Sequence, residues 1–117
     1  MSTSSHRAIR VAGLVKAEIA RTIQTKLNNK DIGFVSIVEL KMSNDLSIAK
    51  VYVSVFGDQK QKTLKILKQS VSFIRRQIAR DLNLRIVPEI SFFLDERLER
   101  GDNVLKIIKD LNNKDQA

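Results

Sequence analysis

The chain contains no cysteine, no tryptophan, and one each of histidine, tyrosine and proline among its 117 residues. Lack of cysteine removes both a disulfide framework and a thiolate metal site, and fits a reducing, intracellular compartment. The lone histidine, His6, stands at the start of the chain, where neither a histidine-based triad nor a metal site is expected. Gly13, Gly33, Gly57 and Gly101 are scattered, so the sequence has neither a phosphate loop nor a dinucleotide fingerprint. No run approaches the roughly 20 apolar residues that cross a bilayer. Met1-Ser2-Thr3-Ser4-Ser5-His6 lacks the apolar stretch of a signal peptide. Missing tryptophan also counts against a membrane-surface helix with an aromatic face opposite its basic one. The expectation is a cytoplasmic protein without membrane association, metal or cofactor, and not an enzyme.

Positive charge is what the chain has in excess. Lysine and arginine number 21 against 13 acidic residues, for a net charge of +8. Between Lys60 and Arg85 there are eight basic residues and one acidic residue, Asp81, so that stretch alone carries +7. Residues 1–59 (eight basic, five acidic) and 86–117 (five basic, seven acidic) nearly cancel. Charge concentrated in this way points to a polyanion, nucleic acid first.

Periodicity supplies the elements. Ile9, Val11, Ala12, Val15, Ile19, Ile23 and Leu27 form one apolar helical stripe of about five turns. Ser4 or Ser5 is the expected N-cap and Asn28-Asn29 the stop. After a turn at Lys30–Gly33, Phe34 to Met42 is predicted as a strand with a bulge near Val38, where the side-chain phase slips. Ser43-Asn44-Asp45 is a turn. Ser47 to Phe56 is the clearest strand, with Ala49, Val51, Val53 and Val55 on one face and Ile48, Lys50, Tyr52, Ser54 and Phe56 on the other. Asp58 is the expected cap of a helical run whose stripe is Leu64, Leu67, Val71, Ile74, Ile78 and Leu82. Ser70-Val71-Ser72 interrupts it, so two helices should meet there with Ser72 or Ser70 capping the second, and an N-cap-type break is predicted at Ser72. Pro88 ends the second helix, Glu89 to Leu94 is a third strand, and Val104, Ile107, Ile108 and Leu111 mark a short terminal helix. By length this is a single domain over residues 1–117, with 1–5 and 112–117 expected to be disordered. The order α-β-β-α-α-β plus a terminal helix predicts a two-layer α+β fold.

Among the cations the arginines are the stronger phosphate candidates, because a planar guanidinium grips two oxygens at once. Arg75, Arg76, Arg80 and Arg85 are the expected phosphate contacts, assisted by Lys68 and by Arg7 and Arg10 at the first helix. Arg76 and Arg80 share a helix face, and a helix starting near Ser72 would add its positive dipole end. Lys60, Lys62 and Lys65 are ordinary solvated lysines. Tyr52 and Phe56 beside Lys50 are either a stacking platform for bases or a face covered by another part of the chain. Phe73, Phe92 and Phe93 are core candidates. Asp95, Glu96 and Glu99 could hold Mg²⁺ but are better explained as a solvated turn. An RRM would need a strand before the first helix, and none is available.

Five stretches resemble ribosome-binding factor A, a bacterial assembly-factor family. Arg7-Ala8-Ile9-Arg10-Val11-Ala12 is similar to its R-x-x-R-V opening. Ser43-Asn44-Asp45-Leu46 with Ala49-Lys50-Val51-Tyr52-Val53-Ser54 is similar to its hairpin. Phe73-Ile74-Arg75 and Leu84-Arg85-Ile86-Val87-Pro88-Glu89-Ile90 resemble its F-I-R and L-R-x-V-P-E-L segments, and Phe92-Phe93-Leu94-Asp95 the close of its third strand. The resemblance implies a type II KH-like fold and binding to the immature small ribosomal subunit and its rRNA; a monomer is expected, with ribosomal proteins as candidate further partners. It also implies assistance to maturation of the rRNA 5′ end and growth at low temperature. The alternative is a general basic RNA-binding or protein-interaction module. The family carries A-x-G at the helix junction, where this chain has Ser70-Val71-Ser72, and KH domains carry a G-x-x-G loop that is absent here.

Overall fold

The computed structural model describes residues 6–27 and 32–95. The first helix, α1 (His6–Thr25), buries Ala8, Val11, Val15, Ile19 and Ile23, with Glu18 and Thr22 on the same side. Ile9, expected in the stripe, is 57 % exposed, and Ala8 takes its place one residue earlier. The expected boundary residues Ser4, Ser5, Asn28 and Asn29 lie outside the described residues.

Strands β1 (Phe34–Met42) and β2 (Ile48–Phe56) form the antiparallel hairpin, and the register shifts between Ile37 and Glu39, so Val38 is the bulge. The extra residue brings Ile37 and Leu40 onto the buried side from either flank of the slip. The link is knitted by Asp45, whose Oδ1 accepts from Ser43 Oγ and Ser47 Oγ, both at 2.7 Å, and from Ser47 N–H at 3.1 Å. These donors, Ser47 first and then Ser43, hold the Asp45 carboxyl down at about 2.

Helices α2 (Lys60–Gln69) and α3 (Val71–Leu82) then carry the chain across to β3 (Glu89–Leu94), which pairs parallel with β2. Parallel pairing requires such a crossover, and it makes β2 the central strand in the order β1-β2-β3. The residue at the N-cap of α2 is Gln59, without a side-chain cap, so Asp58 falls one residue too early for its expected role. Thr63 Oγ1 instead ties α2 to the loop before β1, donating to the Ile32 carbonyl at 2.9 Å.

Helices α1, α2 and α3 cover one sheet face. Ala49, Val51 and Val53 of β2 are fully buried against Val15 and Ile19 of α1, Leu67 of α2, Ile74 and Ile78 of α3, and Phe92 of β3. This is the two-layer α+β architecture in the order α-β-β-α-α-β. The anticipated terminal helix around Val104–Leu111 and the frayed ends lie outside the described residues.

Candidate nucleic-acid interface

The helix junction is built by Ser70, not by Ser72. Ser70 is both the C-cap of α2 and the N-cap position of α3, with φ −93° and ψ 1° and no side-chain cap bond. Its N–H donates to the Ile66 and Leu67 carbonyls, each at 3.0 Å, and its Oγ donates to the Ile66 carbonyl at 2.8 Å. The serine hydroxyl therefore bonds back one turn, a contact that bends helices. Ser72 is an exposed second residue of α3, and among the described residues only Leu46 and Asn83 are non-glycines at positive φ. The N-cap-type break expected at Ser72 is corrected to a back-bonded bend at Ser70. Val71, half-buried, packs against the core.

The seven candidate cations separate into groups. Arg75 turns inward: Nε donates to the Pro88 carbonyl at 3.0 Å and Nη2 to the Val87 carbonyl at 3.1 Å, tying α3 to the entry of β3. Arg76, one residue on, is exposed and meets no hydrogen-bond or ion-pair partner among the described residues. Arg80 donates through Nε to Asp81 at 3.0 Å and through Nη2 to Gln77 at 2.9 Å, while its side chain stays 60 % exposed. Arg7 and Arg85 line one cleft of about 360 Å³ with Asn44, Asp45 and Leu46 of the hairpin link. Arg10 and Lys68 are exposed.

Sequence spacing left out Arg21 and Lys26, which the packing of α1 on α3 brings into this region. Arg21 Nη2 lies 2.9 Å from Glu18 Oε2 and 2.7 Å from Asp81 Oδ2, and Lys26 Nζ donates to Gln77 Oε1 at 3.0 Å. Glu18 and then Asp81 raise the Arg21 pKa above its ordinary value. Asp81 is held down at about 2, chiefly by the hydrogen bond from Arg80. Arg21 and Arg80 thus bracket Asp81, Arg21 also pairs with Glu18, and Lys26 joins through Gln77, which accepts from Arg80 as well; three cations against two carboxylates leave the cluster net positive. The only sequence-level sign of Arg21 was its position three residues after Glu18 on the same helix. The contacts Lys26–Gln77, Arg21–Asp81 and the Arg7–Arg85 cleft progress in opposite directions along the two segments. α1 and α3 therefore lie antiparallel, with basic residues along their shared edge.

The sheet face away from the helices carries the other feature. Tyr52 stacks on Phe93 with ring centroids 5.4 Å apart and planes 27° apart, and Lys41 Nζ lies 5.5 Å from the Tyr52 ring centroid. Phe34 and Phe56 meet edge to face at 5.8 Å. Phe93 is thus on the open face and not in the core, as it must be when its neighbour Phe92 points inward from the same strand. Among the described residues no group of three or more His, Cys, Asp or Glu is placed to hold a metal ion. No described helix is long and apolar enough to cross a membrane.

Comparison with known proteins gives the decisive relation. The family model described as ribosome-binding factor A matches residues 7–108. The chain belongs to the ribosome-binding factor A family. A ribosome-binding factor A of Macrococcus caseolyticus is 41 % identical over 110 residues, covering 92 % of this chain and 96 % of the relative. The crystal structure of ribosome-binding factor A from Thermus thermophilus superposes with a TM-score of 0.67 at 22 % identity, covering 74 % of this chain and 94 % of that one. A homology model of the Thermus thermophilus factor, fitted into a cryo-EM map of a 30S complex with that factor, superposes with a TM-score of 0.64. It is 23 % identical and covers 72 % of this chain and 90 % of that one. Both likenesses share the fold described above.

Proposed function

We propose that this ribosome-binding factor A family member is a non-enzymatic, cytoplasmic assembly factor for the small ribosomal subunit. It binds immature subunits through rRNA phosphates and assists maturation of the rRNA 5′ end, with its largest effect at low temperature. The observation that carries this is family membership joined to the basic edge between α1 and α3. Family membership directs the reading to the ribosome. The Thermus thermophilus relative placed in a map of a 30S complex narrows it to the small subunit.

Of the seven candidate cations, Arg7, Arg10, Lys68, Arg76 and Arg85 face solvent without a hydrogen-bond or ion-pair partner among the described residues, which suits them to phosphate contact. Arg80 contributes from within its cluster, whereas Arg75 positions the start of β3. No glycine clamp exists, so backbone and shape recognition outweigh base readout. The factor would act by preferring one rRNA conformation over another, shifting the population toward the state it binds.

The test is co-sedimentation of the double variant Arg76→Glu with Arg85→Glu against immature small subunits. Both residues are exposed, so the fold should be retained by circular dichroism while binding is lost. Undiminished co-sedimentation of a folded double variant would remove this surface from the proposal. Arg80→Glu is the poorer probe, because it removes the donor to Asp81 and Gln77 and adds a third carboxylate beside Glu18 and Asp81, disturbing the contacts between α1 and α3.

A further inference from the structure

Four of the six aromatic side chains (one tyrosine and five phenylalanines in all) lie on the sheet face turned away from the helices. Along β2 this face presents Ile48, Lys50, Tyr52, Ser54 and Phe56. Across from them stand Lys41, Glu39, Ser36 and Phe34 of β1, and Glu89, Ser91 and Phe93 of β3. Phe34 and Phe56 are 65 % and 67 % exposed, Ile48 43 % and Phe93 41 %. Apolar rings held this far out of the core are characteristic of a surface that meets a partner.

Charge on the same face indicates which partner. Lys41 and Lys50 are direct partners in the β1–β2 register and project to this side. Like charges directly opposite each other weaken an antiparallel pair, and an anion lying between them reverses that effect. Lys41 also lies over the Tyr52 ring, next to the Tyr52–Phe93 stack. A row of two lysines beside a stacked aromatic pair, with a second aromatic pair four residues further along the strand, matches a polymer that alternates phosphate with flat bases. The rings are about 13 Å apart along β2, at about 3.3 Å per residue, so they engage separate bases. Glu39 and Glu89 are the acidic groups of this face among the described residues, and their repulsion of phosphate favours the lysine row as the phosphate position.

We propose, resting on the reading of this chain as an rRNA-binding factor, that the open sheet face is a second RNA site. It takes a single-stranded segment by stacking bases on Tyr52–Phe93 and on Phe34–Phe56, with phosphates at Lys41 and Lys50. It is separate from the basic edge between α1 and α3, on the opposite side of the sheet from the helices. The two sites suit a factor that holds a folded rRNA region by its backbone and an unpaired strand by its bases.

Tyr52 is the single tyrosine and the chain lacks tryptophan, so its intrinsic fluorescence reports on this face alone. The experiment adds a single-stranded RNA of about 10 nucleotides, within the span of one single-strand site, to the full-length protein. Expected is saturable quenching of Tyr52 that a duplex of the same sequence does not produce. Phe93→Leu, and separately Phe34→Ser with Phe56→Ser, should each weaken the interaction about tenfold, as removal of a stacking ring does. Being exposed, these positions leave the fold intact. A silent Tyr52 while the protein still co-sediments with small subunits overturns the sheet site and leaves the proposed function standing. Equal quenching by duplex overturns it as well. Quenching that grows with protein concentration without RNA assigns the face to a second copy of the chain and also overturns it. Failure of the wild-type protein to co-sediment with subunits is read in a different assay and removes the proposed function itself.

Discussion

Arg75 and Arg76 are adjacent, identical in type and opposite in use. A helix turns each successive residue by about 100°, so one guanidinium reaches the Val87 and Pro88 carbonyls while the other faces water. Arg75→Ala should therefore destabilise the fold by about 1.5–3 kcal/mol, the range for hydrogen bonds from a charged donor. Arg76→Ala should leave stability within about 0.5 kcal/mol and weaken subunit binding; paired urea melts and co-sedimentation separate the two. Nothing in the sequence distinguished them, because the carbonyl partners come from a loop more than ten residues away. Ser72→Ala, at an exposed position without a cap bond, should likewise shift stability by less than about 0.5 kcal/mol in the same melts. Asp45 gives a pH signature. Its carboxyl sits at about 2 in the folded chain against an ordinary 3.8, so its contribution is full above the ordinary value and drains as pH falls toward the folded one. Asp45→Asn should melt below the wild type at neutral pH, with the gap closing between about pH 4 and pH 2, as followed by thermal denaturation.

At the scale of elements, the strands were the most legible. β2 alternates without a fault because one face is packed under helices and the other is open, and the slip at Val38 in β1 marks a real bulge. The helices were legible as stripes but not at their ends, where single hydrogen bonds decide. Ser70 bends the chain through its bond to Ile66, and α3 ends at Asn83 in the left-handed region with φ 50°. Asparagine tolerates that conformation, glycine prefers it, and a β-branched residue does not. Asn83→Gly should accordingly keep or slightly raise the melting temperature, while Asn83→Val should cost about 1–2 kcal/mol in denaturant titration. Phe92 and Phe93 make the same lesson visible in a strand. Only one of two neighbours can face the core, and the pairing of β3 on β2 selects Phe92, which is 1 % exposed. Phe92→Ala should lose about 3–5 kcal/mol in the same titration.

For the whole molecule, charge, packing and binding meet along the antiparallel α1–α3 edge. Binding to rRNA through phosphates should fall steeply with salt, and each phosphate contact removed should lower the slope of log affinity against log salt by about one. Arg76→Ala should reduce that slope and Arg75→Ala should not, when affinity for small subunits is measured across a salt series. By itself the sequence determined the element order, the face of β2 that is buried and the concentration of cationic charge. These follow from side-chain periodicity and composition, which are local properties of the chain. Only the tertiary structure decided which cations are spent on Asp81, Gln77 and the Pro88 carbonyl and which remain for a ligand. It also decided that Arg7 and Arg85 share one cleft and that four aromatic rings share one open sheet face. Those outcomes depend on how helices and strands distant in sequence are set side by side, and an electrostatic or stacking contact acts over a few ångströms of space regardless of separation along the chain.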